Sequence, residues 1–100
     1  MAKILIPLSG DNTQESTTCS IDDCKHFAQV EIDESNTIVE IVFNSTYEPY
    51  LGMCEYLVVD NPEQDFEDFE DYEMGILLCE PKSNIDDIVE GYIFRSLHEI

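Results

Sequence analysis

Basic side chains are scarce in this chain: Lys and Arg together number 4 against 23 Asp and Glu, for a formal net charge of −19. Binding to nucleic-acid phosphates or to an anionic membrane surface draws on Lys and Arg, so neither is expected as a partner. Long apolar runs are also missing, and no stretch reaches the roughly 18 residues needed to cross a bilayer. Met1-Ala2-Lys3 leads directly into Ile4-Leu5-Ile6, without the length or small-residue cleavage site of a secretion signal. The expected location is therefore cytoplasmic. There Cys19, Cys24, Cys54 and Cys79 should be reduced, available as thiols or metal ligands rather than as a disulfide frame. Catalytic signatures are absent as well: no G-x-S-x-G, no P-loop, no H-E-x-x-H and no paired C-x2-C. No enzyme is expected. The run Asp65, Glu67, Asp68, Glu70 and Asp71 lacks the glycine of a calcium loop and reads as the solvated face of a helix.

What is present is a chain of 100 residues with 43% hydrophobic content, read as a single domain over 1–100 with a folded core despite its charge. Lys3–Leu8 is a short apolar run ending in Ser9-Gly10-Asp11-Asn12, a buried strand entering a turn. Residues 11–23 form a long polar loop, and long loops often carry function. His26–Asp33 alternates as a half-buried strand, and Glu34-Ser35-Asn36 turns it into a second β-rich run, Thr37–Asn44, as an antiparallel hairpin. A loop with at most one helical turn follows, then a buried strand over Glu55–Asp60. Asn61 and Pro62 announce a helix over Glu63–Met74, with Phe66, Phe69 and Tyr72 on one face and carboxylates on the other; Gly75 would cap it. Ile76–Cys79 is a further buried strand. Ser83 and Asp86 have the spacing of a capping box for a final helix presenting Ile85, Ile88, Val89, Tyr92, Ile93 and Leu97. The order gives an α/β fold: one five-stranded mixed sheet, an antiparallel hairpin plus a parallel βαβ unit, with helices packed on it.

Cys19 and Cys24 stand out within the polar loop. Two thiolates on one loop can converge on iron, zinc or copper(I), and His26 beside them is a candidate third ligand; the alternative is a pair of ordinary loop thiols able to form a disulfide when oxidised. Asp22 and Asp23 would raise the thiol pKa values, which disfavours an activated nucleophile. Cys54 and Cys79 fall at opposite ends of successive parallel strands, so all four sulfurs cannot share one tetrahedral site, and packing is their expected role. His26 is equally read as a half-exposed strand residue, and His98 as a helix-end residue.

Lys3-Ile4-Leu5-Ile6-Pro7-Leu8-Ser9-Gly10-Asp11, the acidic strand end Glu31-Ile32-Asp33, Cys54-Glu55-Tyr56-Leu57-Val58-Val59, Met74-Gly75-Ile76 and Asn84-Ile85-Asp86-Asp87-Ile88-Val89-Glu90-Gly91-Tyr92 come in that order over nearly the whole chain. Together they resemble the dinitrogenase iron-molybdenum cofactor biosynthesis family, whose members include cofactor carriers and the C-terminal domain of the nitrogenase cofactor-assembly protein. The resemblance implies an RNase H-like sheet and a role related to nitrogen fixation. It also implies an iron-sulfur or iron-molybdenum cluster held between the turn Ser9, Gly10, Asp11, Asn12 and the loop carrying Cys19 and Cys24. The family's usual His-Phe-Gly-Arg stretch aligns here with Ser20, Ile21, Asp22 and Asp23, so a histidine and an arginine suited to an anionic cluster are replaced by a hydroxyl and a carboxylate.

Two functions follow. One is a non-enzymatic carrier or accessory protein for a metal cluster, exchanging it with a metallocluster donor or acceptor protein. The other is a metal-free acidic module that docks a basic protein, a mimic of the DNA backbone in the extreme form. The acidity is also explained by solubility, or by a salty cytoplasm.

Overall fold

A computed structural model describes residues 2–10 and 15–99. Strands β1 (Ala2–Leu8), β2 (His26–Ile32) and β3 (Ile38–Asn44) are followed by a single 3-10 turn, Glu48–Tyr50; then come β4 (Tyr56–Val59), α1 (Glu67–Asp71), β5 (Gly75–Leu78), α2 (Ile85–Ile93) and β6 (His98–Glu99). All six strands join one sheet in the order β3-β2-β1-β4-β5-β6. β1 lies antiparallel to β2 and parallel to β4, β2–β3 is antiparallel, and β4–β5 is parallel. The mixed sheet, the hairpin and the parallel βαβ unit match the sequence reading, but the sheet has six strands, not five. The extra one is β6, antiparallel to β5.

Both faces of the sheet are covered, which is why β1, β4 and β5 read as near-continuous apolar runs. On one face Ile4, Ile6, Leu8, Ala28, Val30, Val58 and Leu77 pack against Ile85, Ile88 and Val89 of α2. On the other Leu5, Phe27, Leu57, Val59 and Ile76 pack against Tyr50, Phe66, Phe69 and the loop residue Ile21. β2 is consequently buried more completely than half-burial predicts. Its polar alternates are absorbed by partners: the Cys54 thiol donates to Gln29 Oε1 at 3.9 Å, and Glu31 pairs with Lys3 Nζ at 3.7 Å.

The hairpin turn forms as expected. Asp33 Oδ1 accepts the N–H groups of Ser35 and Thr37, both at 2.9 Å, and Asn36 takes the left-handed conformation at φ 62°, which Asn tolerates well.

The acidic helix is much shorter than Glu63–Met74. Asn61 Oδ1 accepts from Glu63 N and Asp65 Oδ1 from Glu67 N, each at 2.9 Å, so local side-chain bonds hold the backbone in turns where a helix would start. Carboxylates four residues apart, such as Glu63 and Glu67, add like-charge repulsion. Phe66 and Phe69 are buried, whereas Tyr72 is 55% exposed, so the aromatic face ends after one turn. The C-cap is not Gly75. Glu73 sits at φ 59°, with Glu73 N donating to Glu70 O at 2.9 Å and Met74 N to Phe69 O at 3.1 Å, the Schellman pattern. Gly75 instead opens β5, where an added Cβ would lie 2.6 Å from the Tyr56 ring.

The final helix starts one residue later than expected. Asn84, not Ser83, is the N-cap: its side chain accepts from Asp87 N at 2.8 Å, and the Asp87 carboxylate receives Asn84 N at 3.4 Å. Ser83 is committed elsewhere, donating its hydroxyl to Glu80 O at 2.7 Å. The helix stops at Ile93 in a second Schellman turn, with Arg95 at φ 55° and Ser96 N donating to Gly91 O at 2.8 Å. Leu97 folds back onto Gly91, where an added Cβ would come within 2.9 Å of its Cδ2. Leu97 and His98 are therefore not helical: His98 belongs to β6.

Candidate functional site

The polar loop crosses the end of the sheet at which β1, β4 and β5 terminate and β2 begins. Ser9 N donates to Thr17 O at 2.9 Å and Thr17 N to Ser9 Oγ at 3.2 Å, closing the turn after β1. Thr18 forms an isolated bridge with Leu8. From there its N–H reaches Ser83 O at 3.0 Å, and its hydroxyl donates to Asp60 Oδ2 at 2.9 Å. Ile21 drops into the core while its N–H donates to Gln64 Oε1 at 2.7 Å. The loop is thus tied to the ends of β1 and β4 and to the connections that follow β4 and β5.

Around Ile21 the chain makes one tight turn, with Asp23 N and Cys24 N both donating to Ser20 O at 3.0 and 2.9 Å. That turn brings Cys19 and Cys24 together with a Cα–Cα separation of 5.8 Å, and their sulfurs are joined as a disulfide. The structure therefore holds this pair in the oxidised form, in place of the two free thiols expected from the sequence. Cys54 and Cys79 are free thiols, both buried.

Of the other residues assigned to the site, Ser9 and Gly10 are placed in the turn just described, and Asp11 and Asn12 lie outside the described residues. His26 is half-exposed at the first position of β2, opposite Leu8. Among the described residues no three His, Cys, Asp or Glu side chains are grouped so as to hold a metal ion. The four cysteines divide by face. Cys19, Cys24 and Cys54 lie on the α1 face and Cys79 on the α2 face, and Cys54 precedes β4 whereas Cys79 follows β5. The loop does fold over toward Cys79, but it brings Thr18 there rather than a sulfur.

Both free thiols are chemically quiet. Burial pushes Cys54 up to about 11, with Glu55 adding to the shift and Lys3 opposing it. Burial and then Asp60 push Cys79 up to about 11, against hydrogen bonds with Ser83 and Thr18. An open cleft of about 530 Å³ runs beside Cys79, lined by Asp60, Ser83, Asp87 and His98 among others. On the far side of the sheet Tyr47 donates to Asp68 Oδ2 at 2.7 Å, and that bond, with burial and nearby carboxylates, holds its phenol up at about 12. These groups disfavour thiolate and phenolate chemistry near neutral pH.

Two site features lay beyond the sequence reading: the anchoring of the loop by Thr18 to Asp60 and Ser83, and its capture by Gln64. The isolated Ile21 within a polar stretch was the available signal for an anchored loop.

No protein-family model matches the sequence, and no curated protein matches it. Solved structures do share the fold. A protein named PH0822 matches with a TM-score of 0.76 at 12% identity, covering 98% of this chain and 96% of its own. A Thermotoga protein named a "putative NifB protein" of the DUF35 family matches with a TM-score of 0.74 at 19% identity, covering 99% and 93%. A "putative dinitrogenase" from Methanocaldococcus jannaschii matches with a TM-score of 0.74 at 21% identity, covering 98% and 93%. At these identities the likeness establishes a common α/β fold with a mixed sheet. Among the described residues no helix is long and apolar enough to cross a membrane.

Proposed function

We propose that the chain is a non-enzymatic carrier or accessory protein for a metal or metal cluster, of the dinitrogenase iron-molybdenum cofactor biosynthesis type. In this reading its sheet is the RNase H-like sheet of that family, extended by β6. The names of two neighbours in fold, NifB and dinitrogenase, support the association with nitrogen fixation. The observation that carries the reading is the convergence of Cys19 and Cys24 on one turn at the end of the sheet. Cargo binding requires the reduced pair. A dithiol reductant transfers two electrons and two protons, leaving two thiols here and a disulfide on the reductant. Binding a cation then releases the thiol protons. Two thiolates on a tetrahedral ion, with bonds of about 2.3 Å, stand roughly 3.8 Å apart, a span that neighbouring backbone positions 5.8 Å apart can supply with small side-chain rotations.

The test is anaerobic titration of the reduced protein with iron and sulfide. Thiolate charge-transfer absorption is expected, absent in the oxidised protein and lost in the Cys19→Ser, Cys24→Ser double variant. Absorption that survives the double substitution refutes this site.

A second reading, docking of a basic protein, is favoured by the surface charge. Between described residues one ion pair forms, Lys3–Glu31, in a chain with 23 carboxylates. A pull-down in which charge reversal of the acidic segment 63–73 leaves partner capture intact would remove that segment from the interface.

A further inference from the structure

The sheet ends on one side in β6, only two residues long, and on the other in β3, seven residues long with no neighbour beyond it among the described residues. Natural edge strands are commonly shortened, bulged, or armed with Lys or Pro to prevent pairing. β3 reads Ile-Val-Glu-Ile-Val-Phe-Asn and carries a single charge. Its pairing with β2 shifts register between Glu31 and Ile32, which leaves Val39 as an extra residue, 51% exposed. The outer edge from Glu40 to Asn44 remains regular.

Register assigns this edge two chemical faces. On the α2 face Ile41 lies opposite Val30 and Phe43 opposite Ala28, and both are partly buried against the core. On the α1 face Lys3 lies opposite Glu31, and Glu31 opposite Glu40. Lys3 is bonded to Glu31, so the row runs cation, anion, anion and stops at the edge. Like charges directly opposite each other on a sheet are destabilising. A Lys or Arg on a further strand, opposite Glu40, would complete the row.

We infer that the β3 edge over Glu40–Asn44 receives an extended segment of a partner protein in which Lys or Arg alternates with apolar residues. Backbone pairing gives the affinity, the apolar residues extend the Ile41/Phe43 face, and the basic residues neutralise Glu40. The inference rests on the second reading, a basic partner, and gives it a location. A second copy of this chain is a poorer occupant: β3 holds no cation to offer Glu40, and each copy brings a charge of −19.

The test titrates the full chain with a capped seven-residue peptide of alternating valine and lysine, and with its valine–glutamate counterpart, following amide signals and hydrogen exchange. Protection of amides within 40–44 by the lysine peptide only, weakening with salt, is expected. Glu40→Lys, an exposed edge substitution, should weaken that peptide about three- to tenfold and favour the glutamate peptide. Binding of the lysine peptide with its shifts confined to residues 63–73 overturns the edge assignment but keeps the basic-partner reading. No binding of the lysine peptide anywhere overturns both. Dimerisation of the free protein through the same amides assigns the edge to a second copy and overturns the inference.

Discussion

Removing the Cys19–Cys24 bond should weaken the protein without unfolding it. The bond closes a loop with a sequence separation of 5, and the chain-entropy relation for so short a loop gives about 2 kcal/mol at 25 °C. Against a total on the order of 5–15 kcal/mol, this is a large but survivable loss. The loop keeps its other anchors: Ile21 is 8% exposed in the core, and Thr18 and Ile21 retain hydrogen bonds to Asp60, Ser83 and Gln64. The Cys19→Ser, Cys24→Ser variant should therefore unfold cooperatively in urea with an unchanged slope and a lower midpoint. Its thermal midpoint should fall on the order of 10 °C. A dithiol reductant should move the parent protein by the same amount and leave the variant unmoved, which separates loss of the bond from damage by serine. In the denatured parent, thiol titration should find two reactive groups without reductant and four with it, as the pairing of Cys19 and Cys24 beside free Cys54 and Cys79 requires. Equal midpoints for parent and variant in oxidising buffer would refute the reasoning, because the bond would then contribute nothing to the oxidised fold.

Two further outcomes are expected. Glu73→Gly should stabilise the chain by about 0.5–1 kcal/mol in urea unfolding, since relief of the left-handed conformation at φ 59° exceeds the added chain entropy of glycine; Glu73→Lys should give a smaller gain that disappears in high salt. Cys54 and Cys79, held near 11 against an ordinary value of 9.0, favour the protonated folded state, so their contribution is full below about pH 9 and lost as the pH rises through 11; unfolding midpoints should fall over that window, less steeply in a Cys54→Ala, Cys79→Ala variant.

The sequence pattern made the sheet legible because its strands are apolar on both sides or bounded by strong turn residues. Lys3–Leu8, Glu55–Asp60 and Ile76–Cys79 could hardly be anything else, and Asp33 to Asn36 specify their turn directly. The helices were legible in place but not in extent. A face of Phe66, Phe69 and Tyr72 has helical spacing, but Asn61 and Asp65 offer the backbone local partners that compete with a helix. The end of α2 carries no Gly or Pro beyond it; Arg95 adopts the left-handed conformation instead, and β6 follows from the packing of Leu97 on Gly91. At the site, the sequence placed Cys19 and Cys24 on one loop but not on one face. That face is decided by Thr18, whose partner Asp60 lies 42 residues away, and by the burial of Ile21. Such long-range contacts leave no periodic trace.

The charge around the cysteine pair bears on what it would carry. Asp22 and Asp23 lie exposed between the two sulfurs in the chain, Asp60 anchors the same loop, and the histidine and arginine usual in the family that the sequence resembles are absent from the aligned positions. Carboxylates near two thiols oppose their ionisation and repel an anionic cluster, whereas a bound cation is stabilised by the carboxylates and lowers the thiol pKa values itself. The resemblance to cofactor carriers and the local electrostatics therefore pull toward different cargoes. An anionic cluster needs compensating basic side chains, and residues 15–26 offer one lysine, Lys25 beside Cys24, against Glu15, Asp22 and Asp23. A divalent ion would take the reduced pair as two ligands, with water or a donor's ligands completing its shell, since among the described residues no third His, Cys, Asp or Glu is grouped with the pair. Parallel anaerobic titrations of reduced protein with cobalt(II) and with preformed iron-sulfur cluster decide between them. Cobalt–thiolate absorption at one ion per chain, with no cluster uptake, would assign the pair to a single cation; cluster uptake with no response to cobalt would assign it to a cluster in spite of the local field.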